Sequence, residues 1–439
     1  MSRTEKPSPE SNSELPTTVP LSTGNIEPPG AHDPYQALRF RNFQLLFAGT
    51  FAAAIGEQML NVAIGWELYE RTGSALVLGG VGLVLVIPVI LFSLPAGHMA
   101  DQFNRKHIVI ITQILLTLGS LGLAGLSYSR GSLVLIYGCL LLIGAAVAFG
   151  NPATWALLPQ TVPVRAYESA ATWSSSSWQL ASVVGPAVGG FVIALLHGAM
   201  LVYVLNAAAS LVFVALLFLM REDRRGSSSG ERMTLHSLAE GLRFLRSTQI
   251  ILAAITLDMF AVLLGGATTL LPIFAKDILH VGPVGLGWLR AAPSVGALCT
   301  ALVLAHRPPF KKAGRTLLWA VAGFGLATCV FGLSRSFWLS LIMLFALGAF
   351  DNISVVIRST LLLMRTPDAM RGRISSVNSL FIAASNELGG FESGLVAQLL
   401  GPVVAVIGGG VGTVLVVLVV ALLWPQMRRL GSLSETPSS

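Results

Sequence analysis

Gly97-His98-Met99-Ala100-Asp101-Gln102-Phe103-Asn104-Arg105-Lys106 is a short polar run set between two long apolar segments. A glycine is followed by an acid, Asp101, and then by the basic pair Arg105 and Lys106. Such a run reads as a tight charged hinge at a membrane face. Each flanking segment is long enough for a membrane helix, which needs about 20 mainly apolar residues. Asn tolerates a left-handed backbone better than most residues, so Asn104 is expected to serve where a turn would favour glycine.

The rest of the chain supplies the membrane. Of its 439 residues, 54% are hydrophobic and 11% charged, against about a quarter charged in soluble domains. A soluble fold of this size could not cover so much apolar surface, and a polytopic membrane protein follows. The net charge of +7 comes from basic residues scattered through short loops, so no nucleic-acid partner is expected. Cys139, Cys299 and Cys329 sit in apolar runs at unrelated spacings and read as buried small hydrophobes. No metal site and no cofactor are expected.

Twelve apolar segments fit, near 43–68, 75–97, 107–127, 132–154, 168–195 and 199–220, then 250–273, 284–305, 316–333, 337–362, 376–400 and 402–425. The expected fold is all-α, twelve transmembrane helices in two six-helix bundles. Residues 1–33, rich in Pro, Ser and Thr, read as a disordered tail. The first bundle takes 34–220 and the second 250–427, with a C-terminal tail over 428–439. Between the bundles lies a polar linker, 221–249, whose 235–245 stretch has the spacing of a helix lying along the membrane surface.

Basic residues set the orientation. With both termini cytoplasmic, the outer loops hold only Arg71, Arg130, Lys276 and Arg335. A shift of 204 residues places Gly144 on Gly348, Gly185 on Gly389 and Gly190 on Gly394. Helices 4 and 5 therefore match helices 10 and 11, the mark of a parallel repeat.

Ionisable groups inside the bilayer are costly and are functional candidates by default. Glu57, Asp351 and Glu387 fall near the middle of their helices, Asp258 towards the cytoplasmic side, and Glu67 and Glu392 towards the outside. Glu57 and Asn61 share a helical face. Asp351 and Arg358 share a face about 10 Å apart along the axis, a spacing that suits holding a bound molecule or water between them more than direct pairing. Arg290 could balance an acid or meet an anionic cargo. A buried carboxylate relieves its desolvation cost by taking a proton, which proton-coupled transport requires. The competing reading for each group is a static ion pair. On helix 5, Ser175, Gln179 and Ser182 share a face suited to a water-filled cavity or to interhelical hydrogen bonds. No phosphate-binding loop and no nucleophile-base arrangement stands out, so neither an ATP-driven pump nor an enzyme is expected.

The opening run resembles the loop between the second and third helices of major facilitator superfamily transporters, G-x-x-x-D-[RK]-x-G-R-[RK]. Gly97, Asp101, Arg105 and Lys106 match it, while Gln102 and Asn104 depart from it. The stretch Gly185-Pro186-Ala187-Val188-Gly189-Gly190 resembles the end of the drug:proton antiporter motif, with Ala181 in place of its upstream glycine. The segments 157–163, 367–378 and 383–394 resemble the enterobactin-exporter branch, which also includes macrolide efflux proteins. The resemblance implies a twelve-helix exporter of the cytoplasmic (inner) membrane driven by the proton gradient, and does not fix the cargo; a siderophore, drug-like or otherwise amphipathic small molecule is expected, moved by a monomer in the lipid bilayer. It also implies that Asp101 and Arg105 act as a gate. The remaining alternatives are an importer of the same fold and a non-transporting sensor or scaffold.

Overall fold

A computed structural model describes residues 33–221, 243, 248–308, 310–367 and 370–431; at 93, 94, 101, 371–373, 376 and 380 it describes the backbone alone. Of the expected tails, residues 1–32 and 432–439 lie outside the described residues, as does the surface helix at 235–245 apart from Arg243; the start of the expected C-terminal tail instead packs back on the second half, the Arg428 carbonyl accepting from Arg315 Nε at 3.3 Å. Twelve long helices follow in order: α1 Arg41–Thr72, α2 Ala75–Gln102, α3 Arg105–Ser129, α4 Leu133–Leu157, α5 Tyr167–Leu196, α6 Met200–Leu219, α7 Gln249–Leu264, α8 Gly282–Ala305, α9 Ala313–Leu333, α10 Phe337–Arg365, α11 Arg371–Leu400 and α12 Pro402–Leu423. Among the described residues, eleven spans are long and apolar enough to cross a membrane; α11 is the one outside that set.

Backbone chemistry sets the ends. Gly73 closes α1 at φ 60, a left-handed value that costs glycine nothing. Gly401, at φ 92, turns the chain so that Pro402 can begin α12.

The seventh span is not the single helix expected over 250–273. α7 stops at Leu264, a 3-10 turn runs over Ala267–Leu270, and a π-helical stretch covers Phe274–Ile278. The break falls at two glycines that lie close against neighbouring helices. A side chain on Gly265 would meet the Phe324 ring at 2.7 Å, and one on Gly266 would meet the Gly389 carbonyl at 2.6 Å. The break lets α7 press against α9 and α11. The cysteines also differ in part from expectation: Cys139 and Cys329 are half-buried, but Cys299 is exposed.

Within the first half, α1 packs on α5 and α6, α4 on α2 and α3, and α3 on α6; in the second, α10 packs on α8 and α9, α12 on α9, and α11 on α7. The halves meet chiefly through two pairs, α2 with α11 and α5 with α8, with smaller contacts from α1.

The glycines of the 204-residue repeat make twin contacts. Gly144 abuts Leu85 and Pro88 of α2, and Gly348 abuts Pro293 of α8. Gly185 abuts Ile55 and Gln58 of α1, while Gly389 abuts Val262 and Leu263 of α7. Gly190 meets Pro283 and Gly287 of α8, and Gly394 meets Ala75 and Gly79 of α2. Small residues recur because backbones can approach only where no Cβ intervenes.

These inter-half approaches gather at the end opposite the termini, called here the far end. There the Tyr69 hydroxyl donates to Asp277, and the Lys276 ammonium lies 5.7 Å from the Tyr69 ring centre. Ser74 Oγ donates to Gln398 Oε1 at 3.0 Å. Towards the other end, no described atom lies within 4 Å of where a Cβ on Gly97 would stand.

Candidate transport site

The charged loop is shorter than the sequence implied. α2 runs through Gly97 to Gln102 and α3 starts at Arg105, leaving Phe103 and Asn104 as the link. Asn104 is not left-handed. At φ −63 and ψ 114 its side chain caps α3, accepting from the Lys106 N–H at 3.0 Å. An N-cap acceptor is what the orphan donors of a new helix require, so asparagine here does a different job from glycine.

Arg105 straddles two helix ends. Its Nε donates to the Ala100 carbonyl at 3.2 Å and its Nη1 to the Ala156 carbonyl at 3.0 Å, tying α2 to α4. Lys106 Nζ donates to the Met220 carbonyl at 2.9 Å, at the end of α6. The Asp101 side chain lies outside the described residues. Hydrogen bonds from a charged donor contribute about 1.5–3 kcal/mol. Arg105→Ala is therefore expected to lower the melting temperature of the purified protein, with Arg105→Lys recovering only part because one ammonium cannot span both carbonyls. A melting curve for Arg105→Ala that overlays the wild type would refute this clamp.

The Gly185–Gly190 stretch divides its work. Gly185 and Gly189 admit α1; a Cβ on the latter would stand 3.0 Å from Met59 Cα. Pro186 and Gly190 face α8, where the Pro186 carbonyl lies 2.5 Å from a Cβ on Gly287. Ser182 Oγ on the polar face of α5 donates to the Trp178 carbonyl at 2.9 Å.

The intramembrane charges do not form one cluster. Asp258 on α7 and Arg358 on α10 form an ion pair, at 8% and 4% exposure. Sequence spacing put Arg358 on the same helical face as Asp351 but about 10 Å along the axis; its ion-pair partner comes from another helix, which spacing could not reveal. Arg290 on α8 and Glu387 on α11 are close enough to interact electrostatically. Glu387 Oε2 lies 2.6 Å from where a Cβ on Gly82 of α2 would stand, at the seam between halves.

Glu57 stands apart from the pairs. Gly56 abuts Asn206 of α6, Gln58 and Met59 abut α5, and Gly65 abuts Pro272 of the second half. At 100° per residue, Glu57 and half-buried Asn61 fall on the face turned towards the second half. No ion pair or hydrogen bond of the Glu57 carboxylate is found among the described residues.

Asp351 lines a small pocket inside the second half. Its walls are Asp258, Ala261 and Val262 of α7, Val321 and Phe324 of α9, and Phe350 and Ser354 of α10. Glu67 belongs to none of these groups; it pairs with Arg71, whose guanidinium also donates to the carbonyls of Leu126, Ser127 and Gly131. Glu392 accepts from Ser393 Oγ at 3.4 Å. The Tyr69–Asp277–Lys276 contact was not legible in sequence, since its members are far apart in the chain and lie at helix ends.

Two six-helix halves with ionisable groups at the seam define a transporter of the major facilitator type. Solved structures share this fold. A bacterial homolog of the human lysosomal transporter Spinster, in an inward-facing and unoccupied conformation, superposes with TM-score 0.65 at 16% identity, covering 91% of this chain and 98% of that one. The nucleoside transporter NupG gives TM-score 0.67 at 13% identity, covering 87% and 99%. The model of the family described as transmembrane secretion effector, MFS_3, matches residues 32–438, and the chain belongs to that family. It is 28% identical over 362 residues to the multidrug efflux pump Tap of Mycobacterium bovis, covering 79% of this chain and 84% of the relative. It is 27% identical over 389 residues to the enterobactin exporter EntS of Citrobacter koseri, covering 88% and 92%. The protein is a multi-pass membrane transporter of the efflux kind, acting on small molecules rather than catalysing a reaction.

Proposed function

We propose that this protein exports an amphipathic small molecule, a siderophore or drug-like compound, across the cytoplasmic membrane in exchange for protons. Both termini face the cytoplasm, and the chain works as a monomer in the bilayer. The observation that carries the reading is the placement of Glu57, Asn61, Arg290 and Glu387 about the seam between two halves that are clasped at the far end. Positive-inside counting puts that clasped end outside. The arrangement described is then the inward-facing member of an alternating-access pair, ready to load from the cytoplasm.

Glu57 and Asn61 supply the polar cargo contacts on the first half, and Arg290 with Glu387 those on the second. Asp101 and Arg105 belong to the cytoplasmic gate. Export also requires that the Tyr69–Asp277 clasp and the Ser74–Gln398 bond open in every cycle.

Inverted membrane vesicles test direction and coupling together. Ethidium is expected to accumulate inside vesicles holding the protein once a proton gradient forms, and a protonophore should return it to the level of empty vesicles. Accumulation only in right-side-out vesicles would make the protein an importer. Flux in neither type, for ethidium or for a siderophore, would leave the scaffold reading.

A further inference from the structure

The pocket between α7, α9 and α10 does not belong to the seam, and its contents do not balance. Asp258 is committed to Arg358. α9 contributes Val321 and Phe324, neither of which titrates. α8 touches α10 through Gly296 and Pro293, while its Arg290 interacts electrostatically with Glu387. Asp351 is therefore left without an ion-pair or hydrogen-bond partner among the described residues. Beside it is a second orphan: Ser354, 2% exposed, lines the same pocket, and its Oγ has no hydrogen-bond partner.

A carboxylate and a hydroxyl that share an apolar pocket unpaired are both costly. One ligand relieves both. A single proton turns Asp351 into an acid whose O–H can donate to Ser354 Oγ, and it cancels the one charge in excess. A metal cation fits poorly. Hard cations take about six or more oxygen ligands, and the walls of Ala261, Val262, Val321, Phe324 and Phe350 offer no side-chain oxygen.

We propose that this pocket is the proton site of the transporter, with Asp351 as the carrier and Ser354 as its hydrogen-bond acceptor, separate from the cargo groups at the seam. This rests on the efflux reading and narrows it. The step is a simple protonation: water on one side supplies the proton to the Asp351 carboxylate, and the same proton leaves to the other side when the halves have rocked. The Asp258–Arg358 pair stays neutral throughout and positions α7 against α10.

Infrared difference spectroscopy of the purified full-length protein, titrated with acid, tests the site without any cargo. The carbonyl stretch of a protonated carboxylic acid should grow in the wild type, be missing in Asp351→Asn, and shift in frequency in Ser354→Ala through loss of the hydrogen bond. In proteoliposomes, Asp351→Asn should cut proton-driven ethidium accumulation at least tenfold while changing ethidium-for-ethidium exchange less than twofold, and Asp351→Glu should restore part of the accumulation. A band that persists in Asp351→Asn, or wild-type accumulation that follows a sodium gradient, overturns the assignment. If wild-type proteoliposomes move no ethidium at all, the efflux reading is what fails for this probe, and the infrared band still decides the proton site.

Discussion

Valine in place of Gly190 should abolish transport while the protein still folds and inserts. A Cβ at this position would stand 2.3 Å from the Pro283 carbonyl oxygen, 3.0 Å from Gly287 Cα and 3.1 Å from Gly287 N. All three neighbours are backbone, so no side chain can swing aside. The only relief is for α5 and α8 to part, and that parts the two halves at the far end. Each half keeps its own internal packing, since Gly190 faces the partner half rather than α1. Overpacking of this kind costs about 1–3 kcal/mol, and here the cost falls on one conformation only. A bias of about 1.4 kcal/mol moves a two-state equilibrium tenfold. The inward-facing state should become a minor species, and turnover should fall at least tenfold.

The measurement is ethidium flux together with the labelling of Ser74→Cys by a membrane-impermeant maleimide, in a background lacking Cys139, Cys299 and Cys329. Flux should collapse and labelling should speed up in the valine variant. Gly79→Val, at the twin contact with Gly394, is expected to act in the same way. Wild-type flux in Gly190→Val would mean that the α5–α8 contact is not part of the cycle.

The second large effect belongs to the buried pair. Asp258→Asn and Arg358→Met, made singly, should each destabilise the protein by about 3–5 kcal/mol, because each leaves a desolvated charge without a partner. The double variant should recover most of that loss, since replacing both members of a buried pair by uncharged groups is often close to neutral. Thermal melts in detergent read the stability. If the two single losses simply add in the double variant, the two residues do not act as a pair. Transport by the double variant then separates a structural role from a chemical one. With the proton on Asp351, the stable double variant keeps measurable proton-driven flux.

Much of the architecture was legible because a bilayer leaves few options. Every backbone polar group in hydrocarbon must be paired within its own segment, so long apolar runs had to be helices, and all twelve are found near their expected places. The glycines related by the 204-residue shift were legible for a similar reason: a residue without a Cβ marks close backbone approach, and Gly144, Gly185 and Gly190 each meet the helix that is the repeat counterpart of the one their twin meets. Arg105 and Lys106 were legible as a basic pair at the start of a helix but not by what they touch, which is the set of carbonyls at the ends of α2, α4 and α6.

The opening stretch shows the division most clearly. Composition and hydropathy along one chain are local properties, and by themselves they determined a membrane protein of two related six-helix halves, with its charged loop at 97–106 and its acids inside the helices. Which acid meets which base is a property of helix packing. Asp258 and Arg358 are a hundred residues apart, as nearly are Arg290 and Glu387, and no spacing rule within a helix reaches across that separation. Only the tertiary structure decided that Asp258 is paired with Arg358, that Glu57 faces the seam, and that Asp351 shares an apolar pocket with an unsatisfied serine. It decided this because the cost of burying a charge depends on the groups that other helices bring beside it.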